Sequence, residues 1–223
     1  MKFKNFLFLI TIVTITFSAC KKDGEGDDGS DLLGENGLPK PVNNIVSADL
    51  LNEIKSLGMT VNTGENPPSL AGTFLASPFE LKGTNVPDDW PIGSAFADYY
   101  ATLSNQNNAN LSITLSYTSA DESGSGIGSY ISGSGNSFTV FAKTNSTIGS
   151  SSAELIQIIS GTLTDGGISN FYYANFMLNN NGDGDIWLEN GEGRVLYDSD
   201  GFSEKTSNMK TIEITKLPST GSK

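Results

Sequence analysis

The sequence predicts an all-β domain of about eight to ten antiparallel strands in up-and-down order. They close into a barrel preceded by one short amphipathic helix; a β-sandwich is the alternative. Three observations point there. Apolar and polar residues alternate with period two in segments after residue 70, most cleanly where Leu111, Ile113, Leu115 and Tyr117 interleave with Ser112, Thr114 and Ser116. Turn signals separate these segments, among them Gly133-Ser134-Gly135-Asn136 and Asp165-Gly166-Gly167. The chain is also rich in glycine, serine, asparagine and threonine, which favours strands and turns over helices.

The N-terminus comes first. Lys2 and Lys4 precede an apolar run from Phe6 to Phe17, and Ser18-Ala19 are small. This is the layout of a secretory signal peptide over residues 1–19. The run is about a dozen residues, short of the ~20 a membrane-crossing helix needs. Cys20 follows, and Phe17-Ser18-Ala19-Cys20 resembles the bacterial lipobox, with Phe where Leu is usual. The resemblance implies that Cys20 is acylated and becomes the first mature residue. The alternative is an ordinary signal peptide ending near a cysteine. Lys21-Lys22-Asp23, Glu25, Asp27 and Asp28 resemble the export signal of Bacteroidetes lipoproteins. That implies anchoring in the outer membrane with display on the cell surface; a solvated acidic linker is the alternative. Residues 20–43 read as the lipid site and a flexible tether, rich in Gly, Asp and Lys with Pro39 and Pro41.

Composition excludes several chemistries. The chain has no histidine and a single cysteine. With Cys20 taken by lipid, Ser-His-Asp and Cys-His catalysis have no groups to use. Zinc, copper and haem sites built on His or Cys are excluded as well, and no disulfide can form. Net charge is −12, and loss of Lys2 and Lys4 leaves eleven cations against 25 acids, about −14. Such a chain does not suit nucleic acid, whose phosphates need clustered Lys and Arg. Anionic head groups repel it, so the membrane contact falls to the lipid. We therefore expect no enzyme and no cofactor, although carboxylate pairs and calcium stay open in principle.

The domain is expected over 44–217, with a tail at 218–223. Ser47 is a good N-cap, Asp49 suits a first turn, and Leu50, Ile54 and Leu57 share one face; Gly58 stops the helix, predicted over 48–57. Strands follow at 72–81 with Pro78 at a bulge, then over SAFADYYATLSN. Further strands are NLSITLSYTS, the hairpin SYISGSGNSFTVFAKT, AELIQIISGTLT, SNFYYANFMLN, IWLENGEGRVLYD and finally 210–217. Residues 155–159 are apolar on both faces, which predicts cover on both sides. An eight-stranded barrel has an interior just wide enough to fill with side chains or to hold one small ligand.

Four residues are candidates for ligand contact. Trp90, between prolines in VPDDWPIG, either stacks on a ligand or plugs the loop onto the core. Asp98 and Tyr100 share a strand face; facing inward, Asp98 would be a buried acid poised for a ligand. Arg194, the sole arginine, either clamps an anionic ligand or pairs structurally with Asp198 or Asp200. The loop NNNGDGDIWLEN places Asn179, Asn181 and Asp183 at positions one, three and five of a calcium-loop pattern, with Asp185 at seven. Position twelve is Asn190 where Glu is needed, so a polar hairpin loop is the simpler reading. Asp198-Ser199-Asp200-Gly201 is a second such loop.

MTVNTGENPPSLAGTF, the Asn-Leu-Ser-Ile strand, SGSGNSFTVF and GEGRVLYDSDGFSEK together resemble lipocalin-like or calycin-like lipoproteins of Bacteroidetes, over roughly residues 59–217. Gly72-Thr73-Phe74 stands where lipocalins open with Gly-x-Trp, and Arg194 is the candidate for the arginine they lay over that aromatic. The resemblance implies a barrel hung from a lipid, taking a small apolar or amphipathic ligand in or at its mouth. The other reading is a surface glycan-binding or adhesion module with exposed aromatics.

Overall fold

A computed structural model describes residues 32–207 and 217–223. The signal segment, Cys20, most of the tether and all but Leu217 of the predicted strand 210–217 lie outside the described residues. The strands are β1 (Glu65–Asn66), β2 (Gly72–Ala76), β3 (Phe79–Thr84), β4 (Ala95–Phe96), β5 (Tyr99–Asn107) and β6 (Ser112–Ser119), then β7 (Glu122–Ser134), β8 (Ser137–Ile148), β9 (Ser151–Thr164), β10 (Gly167–Asn179), β11 (Gly193–Asp198) and β12 (Phe202–Thr206). Apart from the short parallel contact of β1 with β7, every pairing is antiparallel.

The pairings form a ring. From β5 to β10 each strand pairs with the next, β2 pairs with β5, and β12 pairs with both β2 and β10. Three staves are bent rather than straight. β2 and β3 are the two legs of one stave broken at Ser77-Pro78, where proline offers no N–H to a ladder. β4 and β5 form a second, and β11 and β12 a third, whose legs pair with opposite ends of β10. The architecture is therefore an up-and-down barrel of eight staves, and the sandwich alternative is excluded.

Inward residues follow the alternation read from the sequence. Ile113, Leu115 and Tyr117 of β6, Ile131 of β7 and Phe138 and Val140 of β8 join one continuous core. Its centre is a set of rings: Tyr99 lies 4.4 Å from Tyr173, 5.4 Å from Tyr117 and 5.6 Å from Phe79, centroid to centroid. Gly124 makes room here, since a Cβ at that position would fall 2.5 Å from the Tyr117 ring. The glycine-rich first half of β7 thus fits as a strand, although Ser123 to Gly128 carries little apolar signal.

The helix α1 (Ala48–Ser56) forms as its sequence predicts: Ser47 Oγ accepts the Leu50 N–H at 3.2 Å, and Gly58 takes φ +99° beyond the end. It packs on the outside of the barrel. Leu51 and Ile54 meet Phe141, Ile156, Ile158, Phe176 and Val195, a second core on the outer face of β8–β11. This explains the doubly apolar run of β9. A Cβ on Gly83 would collide with the Leu57 carbonyl, so the helix end lies against the β3 backbone.

Three features depart from what the sequence predicts. The tether does not reach residue 43: Leu33 bridges to Pro39, Lys40–Asn44 forms a 3-10 turn, and Leu38 and Val42 are buried in the outer core. Residues 186–192 are loop rather than strand, because Trp187 turns into the barrel end. Finally, β4/β5 does not keep one alternation; its phase breaks at Ala97-Asp98, so Phe96 and Tyr99 both point inward.

Ile54 is fully buried beneath the helix, whereas Ile127 is 54% exposed on β7. Ile54→Ala should cost about 2–5 kcal/mol in urea unfolding, and Ile127→Ala no more than about 0.5. Equal costs would contradict the packing described.

Candidate functional site

One end of the barrel gathers three segments: the β3–β4 loop carrying Trp90, the β10–β11 loop carrying Trp187, and residues 218–223. Arg194, on β11, ties them together. Its Nε and Nη2 donate to Asp89 Oδ2 and Oδ1 at 2.9 and 2.7 Å, a bidentate pair with both side chains buried. Its Nη1 donates to the carbonyls of Thr220 and Ser222 at 3.1 and 2.7 Å, and the guanidinium lies 5.2 Å from the Phe96 ring centre. Burial pushes the Asp89 pKa up, but hydrogen bonds from Arg194, Thr84 and the Trp90 amide outweigh it and hold the carboxyl below its usual range. The structural reading of Arg194 holds, with a partner the sequence did not suggest: Asp89 rather than Asp198 or Asp200. The arginine lies over Phe96, not Phe74.

The tail fills the mouth as an extra strand-like segment. Trp187 bridges to Ser222, the Leu188 N–H donates to the Gly221 carbonyl, and the Ala97 N–H donates to the Pro218 carbonyl. Below it lies a buried polar layer. Gly221 N–H donates to Glu122 Oε2 at 2.9 Å. The Tyr117 hydroxyl is 2.5 Å from Glu122 Oε1 and 2.6 Å from Ser146 Oγ. A phenol has one proton and donates it in the hydrogen bond to the carboxylate, so Ser146 donates to the phenol oxygen. Burial raises the Glu122 pKa against the bonds from Tyr117 and Gly221. Tyr99, Tyr117 and Tyr173 are pushed well above their ordinary values, first by burial. Tyr99 donates to Gln157 Oε1 at 3.1 Å, and Thr220 Oγ1 lies 3.2 Å from both Tyr173 Oη and Asn175 Nδ2. This layer holds one carboxylate, Glu122, and grips the tail by the Gly221 main chain and the Thr220 hydroxyl.

Outside the plug, Val86, Pro87, Asp89, Trp90, Leu188 and Arg194 line a cleft of about 430 Å³. Trp90 is 49% exposed on its rim. The four candidate contacts therefore divide. Trp90 and Arg194 meet at the cleft. Asp98 is exposed on the outside of the barrel, so its inward reading is overturned; the phase break at 97–98 turns it out. Tyr100 faces outward as well, its pKa raised by burial and then by Asp98 and Glu204. Sequence reasoning missed Asp89, Glu122 and the tail, because each acts across more than a hundred residues or through the main chain.

The calcium-loop candidates are spent on holding their own loop. Asp183 accepts from Ser151 Oγ, which in turn accepts from Trp187 Nε1 at 2.8 Å. Asn181 Nδ2 donates to the Ser152 carbonyl, and Asn179 Oδ1 accepts the Asn181 N–H. Asp185 lies in the turn leading to Trp187. Among the described residues no three of His, Cys, Asp and Glu gather as metal ligands. Asp198 and Asp200 occupy the bend between β11 and β12. Asp198 Oδ2 accepts from the Ser77 N–H and from Ser203 Oγ, and Asp200 Oδ1 caps the Phe202 N–H.

Compared with known proteins, the chain matches no family model, no curated protein and no solved structure.

Two outcomes follow from these contacts. Arg194→Leu strands Asp89 in a buried site and should cost about 3–5 kcal/mol. It should also free residues 218–223 to carboxypeptidase, read by mass spectrometry; a tail as resistant as in the parent would contradict the clamp. Asp198, burial first among the causes, has a pKa raised from 3.8 to about 6. The folded state thus binds more protons than the unfolded one between those values, and stability falls as pH rises through that window. Asp198→Asn should gain about 1–2 kcal/mol near neutral pH, the gain vanishing below about pH 4. An unchanged or opposite pH profile would contradict the assignment.

Proposed function

We propose that this chain is a non-enzymatic lipoprotein, held by acylated Cys20 in the outer membrane and displayed on the cell surface, that binds a small amphipathic ligand at the mouth of its barrel. The observation that carries the ligand reading is the cleft under Trp90. A concave site with apolar walls and a few convergent polar groups is the usual form of a small-molecule site. Val86, Pro87, Trp90 and Leu188 supply the walls here, and Asp89, Arg194 and Lys223 the polar edge. The rim is favoured over the lumen because aromatic rings occupy the barrel centre and the tail occupies its mouth. An exposed indole at such a rim buries large apolar area on contact and keeps an N–H for a polar head.

The anchor reading rests on the lipobox resemblance and the acidic segment after it. Acyl chains supply the membrane affinity that a polypeptide of about −14 cannot. Among the described residues no helix is long and apolar enough to cross a membrane.

The neutral amphipathic dye N-phenyl-1-naphthylamine tests the cleft. It should bind the parent with a rise in fluorescence and bind Trp90→Ala at least about tenfold more weakly, with melting temperature unchanged because Trp90 is half exposed. Equal binding by parent and variant would refute the rim site.

A further inference from the structure

A second cleft, of about 280 Å³, opens on the barrel wall where the arm after the helix crosses β9 and β10. Thr60, Asn62, Ser160, Thr162, Asn170 and Tyr172 line it, with the Gly161 backbone. None of these groups carries charge. Ser160 and Tyr172 are direct cross-strand partners, and Thr139 of β8 pairs with Ser160 on its other side. The Asn62 amide spans this row, its N–H donating to Thr139 Oγ1 at 2.7 Å and its side chain to the Phe138 carbonyl at 2.9 Å. The arm is thereby fixed as the far wall.

Two features single this cleft out. Ser160 is fully buried at its floor, and its hydroxyl has no hydrogen-bond partner among the described residues. A buried hydroxyl without a partner costs folding free energy that an occupant supplying a hydrogen bond would recover. Tyr172, the wall, is held in place from behind. Its ring stacks with Tyr197 at 6.4 Å, and Lys82 Nζ lies 5.4 and 5.1 Å from the two ring centres. Asn170 stands exposed at the lip in a left-handed conformation, φ +52°, fixed by its N–H bond to the Gly201 carbonyl.

A rigid aromatic wall beside hydroxyl and amide groups, without charge, matches one ligand class. Sugars pair an apolar ring face with a fringe of neutral hydroxyls. We propose that the Ser160–Tyr172 cleft is a binding site for a terminal sugar of a neutral glycan, separate from the Trp90 cleft and independent of it. Neutrality matters in so acidic a protein: an uncharged ligand meets no repulsion, and an anionic one would. The volume, at the small end of ligand sites, fits a chain end rather than an extended run.

Saturation-transfer NMR of the full chain with maltohexaose, cellohexaose, laminarihexaose and mannohexaose tests this. At least one hexaose should receive saturation, strongest on terminal-ring protons. Tyr172→Ala and Ser160→Val should each weaken the binding at least about tenfold. Asn170→Gly, which keeps the backbone conformation and removes only an exposed amide, should weaken it measurably and guards against a Tyr172 variant that fails to fold. Trp90→Ala should leave it unchanged. No transfer to any of the four, or transfer that survives Ser160→Val and Asn170→Gly in folded protein, overturns the proposal.

Discussion

The molecule depends on one stave meeting two neighbours. Gly193–Thr206 is the last described strand segment in sequence, yet it must close the ring by pairing with β10 on one side and with β2 and β3 on the other. It cannot do so straight. It bends at Ser199–Gly201, facing the bend at Ser77-Pro78 and the irregularity of β10 between Ser169 and Tyr172. Three bends in adjacent staves coincide, and side chain and backbone splint them. The Ser199 N–H donates to the Pro78 carbonyl and the Asn170 N–H to the Gly201 carbonyl, while Asp198 bridges Ser77 and Ser203. Asp198 is costly as an ion there. Burial, and then the neighbouring Asp200, raise its pKa, so the corner keeps this carboxylate at a cost in charge solvation.

Closure at that corner sets the opposite end. A ring of eight staves leaves two mouths, and the mouth near Trp90 is filled from within. Arg194 is buried at its edge, where a lone guanidinium would be intolerable. Asp89 neutralises it in bidentate form, and the spare nitrogen takes two carbonyls of the tail. The tail brings its own backbone groups into the barrel, which explains the buried Glu122: it answers the Gly221 N–H. The polar layer is thus a consequence of plugging a β mouth with main chain, whose every N–H and C=O needs a partner. With lumen and mouth occupied, the two clefts described lie on the outside of the plug and on the barrel wall.

Much of this was legible in the residues. Ser47, Asp49 and Gly58 marked the helix at both ends because caps are local. The alternation of Ile113, Leu115 and Tyr117 gave the inner face of β6, and the two-sided apolar run of β9 announced cover on both faces, which the helix supplies on the outer one. The first half of β7 was not legible, because glycines replace apolar side chains there, Gly124 yielding its space to Tyr117. The tether was overextended since Leu38 and Val42 stand among Gly, Pro and Asn, and only the outer core they enter gives them value. Trp90 and Arg194 stood out through rarity, an aromatic between prolines and the only arginine, and both line the cleft at the barrel end. Asp98 misled, for strict alternation from Phe96 presumes an unbroken strand, and β4/β5 breaks to exchange β3 for β2. Ser160, Glu122 and Asp89 carry no sequence mark; their surroundings are completed by neighbours distant in the chain, Thr139 and Tyr172, Gly221, and Arg194.

Amide hydrogen exchange across the closing seam tests ring closure most directly. In a closed ring, the amides of β12 and β2 that pair across Glu204–Leu75 and Thr206–Thr73 should be protected comparably to those of β8 and β9. An open sheet would leave β2 and β12 as edges, exchanging orders of magnitude faster than the centre, and that pattern would contradict the account.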